Sequence, residues 1–304
     1  MRLFRQTPEA TPARGPVREP IGLIAGWGTF PLSVADALRR QGKSVCGLGI
    51  RDHADPSIAE YCDRFDWIGA CSIGKSIRMF RRWNVQRATM AGKVHKVLLL
   101  QPRWWLRHRP DWKCIRAFYP QLLSGTRDAA DDTLLGTVVR AFGEEGIVME
   151  PATDFAPELL VPAGHLAGRP LTDRQVRDVE FGWRLARGMG GLDVGQTVCV
   201  RNQAVLAVEA IEGTDECIRR AGELARGGSF TVVKTAKPEQ DMRFDVPTVG
   251  VSTLESVHRA GGSVLAIEAE KTIVLDRERF CQLAARLRIG VVALQDPAAV
   301  RQAA

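Results

Sequence analysis

The sequence predicts an α/β protein in two parts, a doubly wound parallel-sheet domain followed by a smaller α+β domain. Three observations predict it. Short apolar runs alternate with helix-period segments over residues 21–149, the pattern of strand–helix–strand units. Pro151, Pro157, Pro162 and Pro170 then punctuate the chain, a composition shift that separates domains. Beyond them, strand-like runs outnumber helical ones.

Residues 1–20 carry Pro8, Pro12, Pro16 and Pro20, four arginines and almost no apolar clustering. Such a stretch cannot bury enough surface to offset its ordering entropy and reads as a disordered tail. No apolar stretch follows the arginines, so it does not read as a secretory signal. Order begins at Ile21. Residues 21–25 are an apolar run suited to a buried strand, and Gly26-Trp27-Gly28 turns into a helix over 31–41 with Leu32, Ala35 and Leu38 on one face. Strands are expected at 44–50, 66–70, 87–91 and 147–149, with helices at 73–83 and 131–143. After a link over 153–172, the helix 173–188 opens the second domain. Its strands are expected at 196–201, 204–212, 229–234, 248–251, 264–268 and 272–275, with helices at 214–225 and 277–287. The boundaries are thus 21–152 and 173–296, with a tail at 297–304.

Composition narrows the class. Of 304 residues, 45% are apolar and 25% charged, and no uncharged apolar run nears the roughly 18–20 residues that span a bilayer. Seven cysteines with no CxxC pair point to free thiols in a reducing, cytoplasmic setting and against a zinc ribbon. The net charge of +7 is local: residues 78–116 hold eleven Lys and Arg against Asp111, a segment of +10, while the rest sums to −3. A local patch implies an anionic partner at one place.

Three places could carry chemistry. The Gly26-Trp27-Gly28-Thr29-Phe30-Pro31 turn allows a backbone to approach an anion at a helix N-terminus. The dinucleotide fingerprint needs a third glycine where Pro31 stands, and a ligand-free turn is an equal reading. Asp52, after the second strand, would suit a ribose hydroxyl. The stretch 102–112, with Trp104, Trp105 and Trp112 among Arg103, Arg107 and Arg109, suits a solvated basic face, an anionic membrane surface or nucleic acid. The third place begins where Glu209 and Glu212 precede Gly213-Thr214-Asp215, a helix start that Asp215 could serve. It continues through 234–247, where Asp241 and Asp245 interleave with Lys234, Lys237 and Arg243. Carboxylates there can hold Mg²⁺ and the cations can neutralise phosphoryl oxygens, although a salt-bridged loop has the same spacing. His53, His95, His108, His165 and His258 show no metal-ligand spacing, and no P-loop or GxSxG elbow is present.

Taken together, these segments resemble the LpxI-type UDP-2,3-diacylglucosamine pyrophosphatases of lipid A biosynthesis. The resemblance runs in order through 21–26 with Gly28 and Pro31, Ala91-Gly92-Lys93-Val94, Asp131-Asp132, Leu192-Asp193-Val194-Gly195-Gln196, 207–215 and 240–250. It implies a Rossmann-like N-terminal domain, a distinct C-terminal one, and Mg²⁺-dependent hydrolysis of UDP-2,3-diacylglucosamine to lipid X and UMP. It also implies an essential aspartate, carried here to Asp241, with Asp245 and Asp215 as further candidates for catalysis or metal binding. Lys234 and Arg243 would assist catalysis, while Gly26, Gly28, Lys93, Thr214 and Lys237 would bind substrate. The family's Gly-Lys-Val is followed here by His95-Lys96 in place of Arg-Pro. The lipid substrate implies a peripheral position at the inner leaflet, with a homo-oligomer left open. The competing expectations are a non-catalytic nucleic-acid-binding protein using 78–116 and an NAD(P)-dependent oxidoreductase.

Overall fold

The computed structural model describes residues 18–94, 108–123, 131–238, 241–243 and 246–300. The two tails for the most part, the tryptophan-rich residues 102–107 and Asp245 lie outside them.

The first domain is the expected parallel sheet. Strands β1 (Pro20–Ala25), β2 (Ser44–Ile50), β3 (Arg64–Ile68), β4 (Arg87–Ala91) and β5 (Val148–Met149) stand in the order β3-β2-β1-β4-β5, all parallel. Side chains of successive strand residues point to opposite faces, so an apolar run builds two cores. Ile21, Leu23 and Ala25 pack with Val34, Ala35 and Leu38 of α1 (Phe30–Arg40). Ile24, Leu48 and Ile68 pack instead with Ile73, Ile77 and Phe80 of α2 (Ile73–Arg82). Two further helices cover that second face, α3 (Trp112–Leu123) and α4 (Asp131–Gly143), through Cys114 and Phe142. No helix was expected over α3, although Cys114, Ala117 and Phe118 stand at helical spacing and pack on the core.

Residues 153–172, expected as a link, carry structure of their own. A short helix α5 (Ala152–Phe155) and a 3₁₀ turn (Pro157–Leu159) lead to β6 (Gly164–Ala167), which pairs antiparallel with the last strand of the second sheet. Leu160 already bridges Ile273, and the Val161 N–H donates to the Thr272 carbonyl at 3.0 Å.

The second domain continues with α6 (Asp173–Gly191), β7 (Thr197–Arg201), β8 (Ala204–Val208), α7 (Thr214–Ala225), β9 (Phe230–Lys234) and β10 (Thr248–Val249). It closes with α8 (Val251–Arg259), β11 (Gly262–Glu268), β12 (Ile273–Val274), α9 (Arg277–Leu287) and β13 (Gly290–Leu294). The sheet order is β6-β13-β11-β9-β7-β8, and β10 pairs with β12 beside it. Its three central strands, β9, β11 and β13, are parallel, whereas β7 runs antiparallel to β9. The β7–β8 hairpin turns on Asn202 and Gln203, both left-handed at φ 54° and 57°. The buried Asp178 carboxylate accepts both turn N–H groups, at 3.0 and 2.6 Å.

Candidate active site

The parallel strands β9 and β11 end at Lys234 and Glu268, and β7 begins on the same edge because Thr197 pairs with Lys234. The carboxyl edge of the parallel strands is where open α/β sheets place ligands. Lys234 is buried, and its ammonium donates to the Thr214 hydroxyl at 2.8 Å. Thr214 in turn donates to Glu209 Oε1 at 2.8 Å and lies 3.5 Å from the Thr197 hydroxyl. Glu209 is buried too, and its Oε2 has no hydrogen-bond partner. Thr214 opens α7, whose N-cap, Gly213, is left-handed at φ 86° and gives no side-chain cap. Open space surrounds the position of a Gly213 Cβ. An ammonium beside an uncapped helix N-terminus is an anion cradle. Asp215 sits exposed in the first turn of α7, where a carboxylate complements the helix dipole.

The loop leaving β9 carries the other expected residues. Its first turn is pinned by Glu268, which is buried and accepts from the Ala236 N–H at 2.8 Å, from Lys271 at 2.9 Å and from Arg187 at 3.3 Å. Lys237 pairs with Asp193 at 2.5 Å. Farther along, Arg243 grips Asp241: its Nε lies 2.9 and 3.0 Å from the two carboxylate oxygens, its Nη2 2.5 Å from Oδ2, and its backbone N–H 3.0 Å from Oδ1. Those guanidinium bonds hold the Asp241 carboxyl below the usual carboxylate range, against an opposing effect of burial.

A carboxyl with a depressed folded pKa contributes stability above its unfolded value of about 3.9 and loses it as pH falls through the folded value. Asp241 is therefore held in its ionised form at neutral pH. Arg243→Ala is expected to move the Asp241 midpoint up, because the guanidinium bonds that hold it down are lost. Titration of that carboxyl by NMR checks this; an unmoved midpoint would show that Arg243 does not set it.

Among the described residues, no group of three His, Cys, Asp or Glu side chains converges as a metal cage. Magnesium needs none, since it commonly takes one or two carboxylates and completes its shell with waters and substrate phosphates. The unpartnered Glu209 Oε2 and the ionised Asp241 are carboxylate oxygens of the kind that mode uses.

In the first domain, strand order reverses between β1 and β4, and the turns after them are sewn together. The Trp27 N–H donates to the Lys93 carbonyl at 2.8 Å, and the Lys93 N–H returns to Trp27 at 3.1 Å. A Cβ on Gly26 would lie 2.7 Å from the Lys93 carbonyl oxygen, so that glycine serves the contact between turns. Gly28, at φ 102°, faces open space ahead of α1, whose Thr29 N-cap makes no side-chain bond. Asp52 is engaged by the buried His108, 3.3 Å from its Nε2. His108 Nδ1 accepts from the Ala70 N–H at 3.1 Å, which puts the ring proton on Nε2.

Gly92 sits at φ 90°, where an added Cβ would lie 2.7 Å from the Trp27 carbonyl oxygen. Gly92→Ala is expected to cost about 2–4 kcal/mol from crowding and left-handed strain. A thermal melt reads this as a Tm lower by roughly 4–16 °C, at about 2–4 °C per kcal/mol; an unchanged melt would mean that the two turns are not packed this way.

Sequence reasoning named Lys234, Thr214 and Asp241 but missed the part of Glu209, and it missed Arg187 and Glu268 entirely. The signal available was Glu209 lying five residues before Thr214 across a strand-to-helix turn.

A parallel-sheet domain with an open glycine turn, followed by a mixed-sheet domain with a buried ammonium beside a helix start at its strand edge, defines a two-domain α/β protein. The chain belongs to the LpxI family: residues 20–159 match the LpxI N-terminal domain and residues 162–292 the LpxI C-terminal domain. UDP-2,3-diacylglucosamine pyrophosphatase LpxI of Caulobacter vibrioides is 32% identical over 290 residues, 91% of this chain and 98% of that protein. Among solved structures, the biotin carboxylase domain of a thermophilic 2-oxoglutarate carboxylase overlaps with a TM-score of 0.25 and 11% identity, over 68% of this chain and 32% of its own. The biotin carboxylase domain of a single-chain bacterial carboxylase gives 0.26 and 11%, over 68% and 55%. Overlap at those scores carries no argument.

Proposed function

We propose that this protein hydrolyses the pyrophosphate of UDP-2,3-diacylglucosamine, giving 2,3-diacylglucosamine 1-phosphate (lipid X) and UMP in lipid A biosynthesis. The observation that carries this reading is the Lys234–Thr214–Glu209 chain at the uncapped start of α7, on the strand edge from which the Asp241 loop departs. It supports the reading in a chain of the LpxI family whose Caulobacter relative bears that activity in its name.

A pyrophosphate diester repels hydroxide, so the site must spread the phosphoryl charge before water attacks. Lys234 and the first-turn N–H groups of α7 bind phosphoryl oxygens, with Thr214 holding the ammonium in place through Glu209. Lys237 and Arg243 add charge-assisted hydrogen bonds from the loop. Mg²⁺, held by Asp241 with Glu209, Asp215 or Asp245 as a second carboxylate, would withdraw charge from the phosphates and orient a water. Were Asp241 not the metal ligand, its ionised carboxylate would instead accept the proton of the attacking water as the water oxygen bonds to phosphorus and the bridging P–O bond breaks, the other phosphate leaving as its anion. Gly28, the start of α1 and Lys93 receive the remaining part of the substrate, with Gly26 shaping the turn. Among the described residues no helix is long and apolar enough to cross a membrane, and we place the protein peripherally at the cytoplasmic leaflet where such a substrate lies.

The test is UMP release from UDP-2,3-diacylglucosamine by the full chain with Mg²⁺ and with EDTA. The reading expects metal-dependent release, lowered about 10²-fold or more by chelation. A folded protein that releases no UMP would overturn it.

A further inference from the structure

The α2–α3 face of the first domain carries an exposed apolar stripe in a basic field. Trp112, Ile115 and Tyr119, spaced as neighbours along one side of α3, are 75%, 41% and 54% exposed. Another side of the same helix buries Cys114 and packs Ala117 and Phe118 on the core, so the exposed stripe is not the helix's core face. Two aromatic rings and an isoleucine left together in water mark an interaction surface.

Cations surround the stripe. The Arg78 guanidinium and the Asp111 carboxylate both reach the open side of Gly74, which sets Arg78 beside the start of α3. Arg81 and Lys113 meet on Glu145, so α2 and the start of α3 share one patch. Arg82 on α2, Arg116 on α3 and Arg109 just before α3 are exposed. The acids there are Asp111, Glu144 and Glu145, and both Asp111 oxygens already accept backbone N–H groups, from Lys75 and Cys114. The start of α3 is tied to the carboxyl end of β3, where the Asp111 N–H donates to the Cys71 carbonyl at 3.3 Å. The stripe therefore begins on the edge of the sheet that also carries the Gly28 turn.

We infer that this face docks on an anionic lipid bilayer, with Trp112, Ile115 and Tyr119 entering the headgroup layer and the Arg and Lys rim pairing with lipid phosphates. An indole and a phenol suit the headgroup boundary, having an apolar body and a polar tip. Each cation near such a surface adds attraction. Single-stranded nucleic acid would stack on Trp112 and Tyr119 but gains nothing from Ile115 between them. The assignment deepens the proposed function and rests on it only for the reason a bilayer is present. Docking by this face would bring the Gly28 edge of the sheet towards the leaflet that holds the substrate.

The test is sedimentation of the full chain with phosphatidylcholine vesicles, with and without phosphatidylglycerol. The wild type is expected to bind the anionic vesicles and to ignore the neutral ones. Two folded variants, Trp112→Ser/Tyr119→Ser and Arg78→Glu/Arg116→Glu, are each expected to bind at least about tenfold more weakly. Both should keep the UMP release of the wild type on detergent-dispersed substrate. No vesicle binding by the wild type, or undiminished binding by both variants, would overturn the docking face. So would retention of the wild type by RNA but not by vesicles. Variant-sensitive vesicle binding without any UMP release would support the face while removing the pyrophosphatase reading.

Discussion

Asp241→Ala is expected to lower the turnover of UDP-2,3-diacylglucosamine by about 10²–10⁴-fold while the protein stays folded. Both halves of that expectation come from the loop after β9. The Asp241 side chain is 27% exposed and its ion-pair partner Arg243 lies two residues away. An ion pair so local and so near water contributes about 0–1 kcal/mol, so its loss leaves the fold standing. What disappears is an ionised carboxylate in the loop leaving the proposed phosphate-binding edge, where it would serve as general base or metal ligand. UMP release measured beside a thermal melt separates the two effects. Turnover within a few-fold of wild type would take Asp241 out of the reaction and leave it as a loop clamp.

Lys234→Met is expected to destabilise the protein by about 1–3 kcal/mol, because it leaves the buried Thr214–Glu209 hydrogen-bond chain without the ammonium that donates into it. Lys234 is 6% and Glu209 8% exposed, so water cannot replace either partner cheaply. Glu209→Gln keeps the shape and removes the charge. The double variant is expected to recover about 1–3 kcal/mol of the summed losses, the signature of a pair coupled through the Thr214 hydroxyl. Denaturant unfolding of the four proteins closes the cycle. Simple additivity would show that Lys234 and Glu209 are buried independently and that Thr214 links nothing.

Much of the fold was legible because buried strands write themselves as apolar runs. Residues 21–25 and 44–50 read correctly as strands for that reason, and the two-sided packing of Ile21 against Ile24 follows from their spacing. Besides α3, three elements were not expected. The segment at 248–251 reads as one strand through Thr248 and Val249, yet Val251 already starts α8, because packing of Leu254 and Val257 overrides β-branched propensity. Residues 290–294 form a strand although no element was expected after the helix at 277–287. The short β6 has no hydrophobic alternation, since an edge strand of four residues buries little. At the site, residue types announced themselves and pairings did not. Asp241 and Arg243 are two residues apart and readable as a loop pair, whereas Glu209, Thr214 and Lys234 meet only when the sheet edge forms. The cysteines make the same point. Cys71 and Cys114 meet in one core cluster, and Cys199 and Cys217 in another, over sequence separations that give no hint of it.

The measurement that tests the central claim most directly is diffraction from crystals of Asp241→Ala grown with UDP-2,3-diacylglucosamine and Mg²⁺. The account predicts the pyrophosphate within hydrogen-bond distance of the Lys234 ammonium and the first-turn N–H groups of α7. A pyrophosphate seated wholly at the Gly28 turn of the first sheet, out of reach of Lys234, would contradict it.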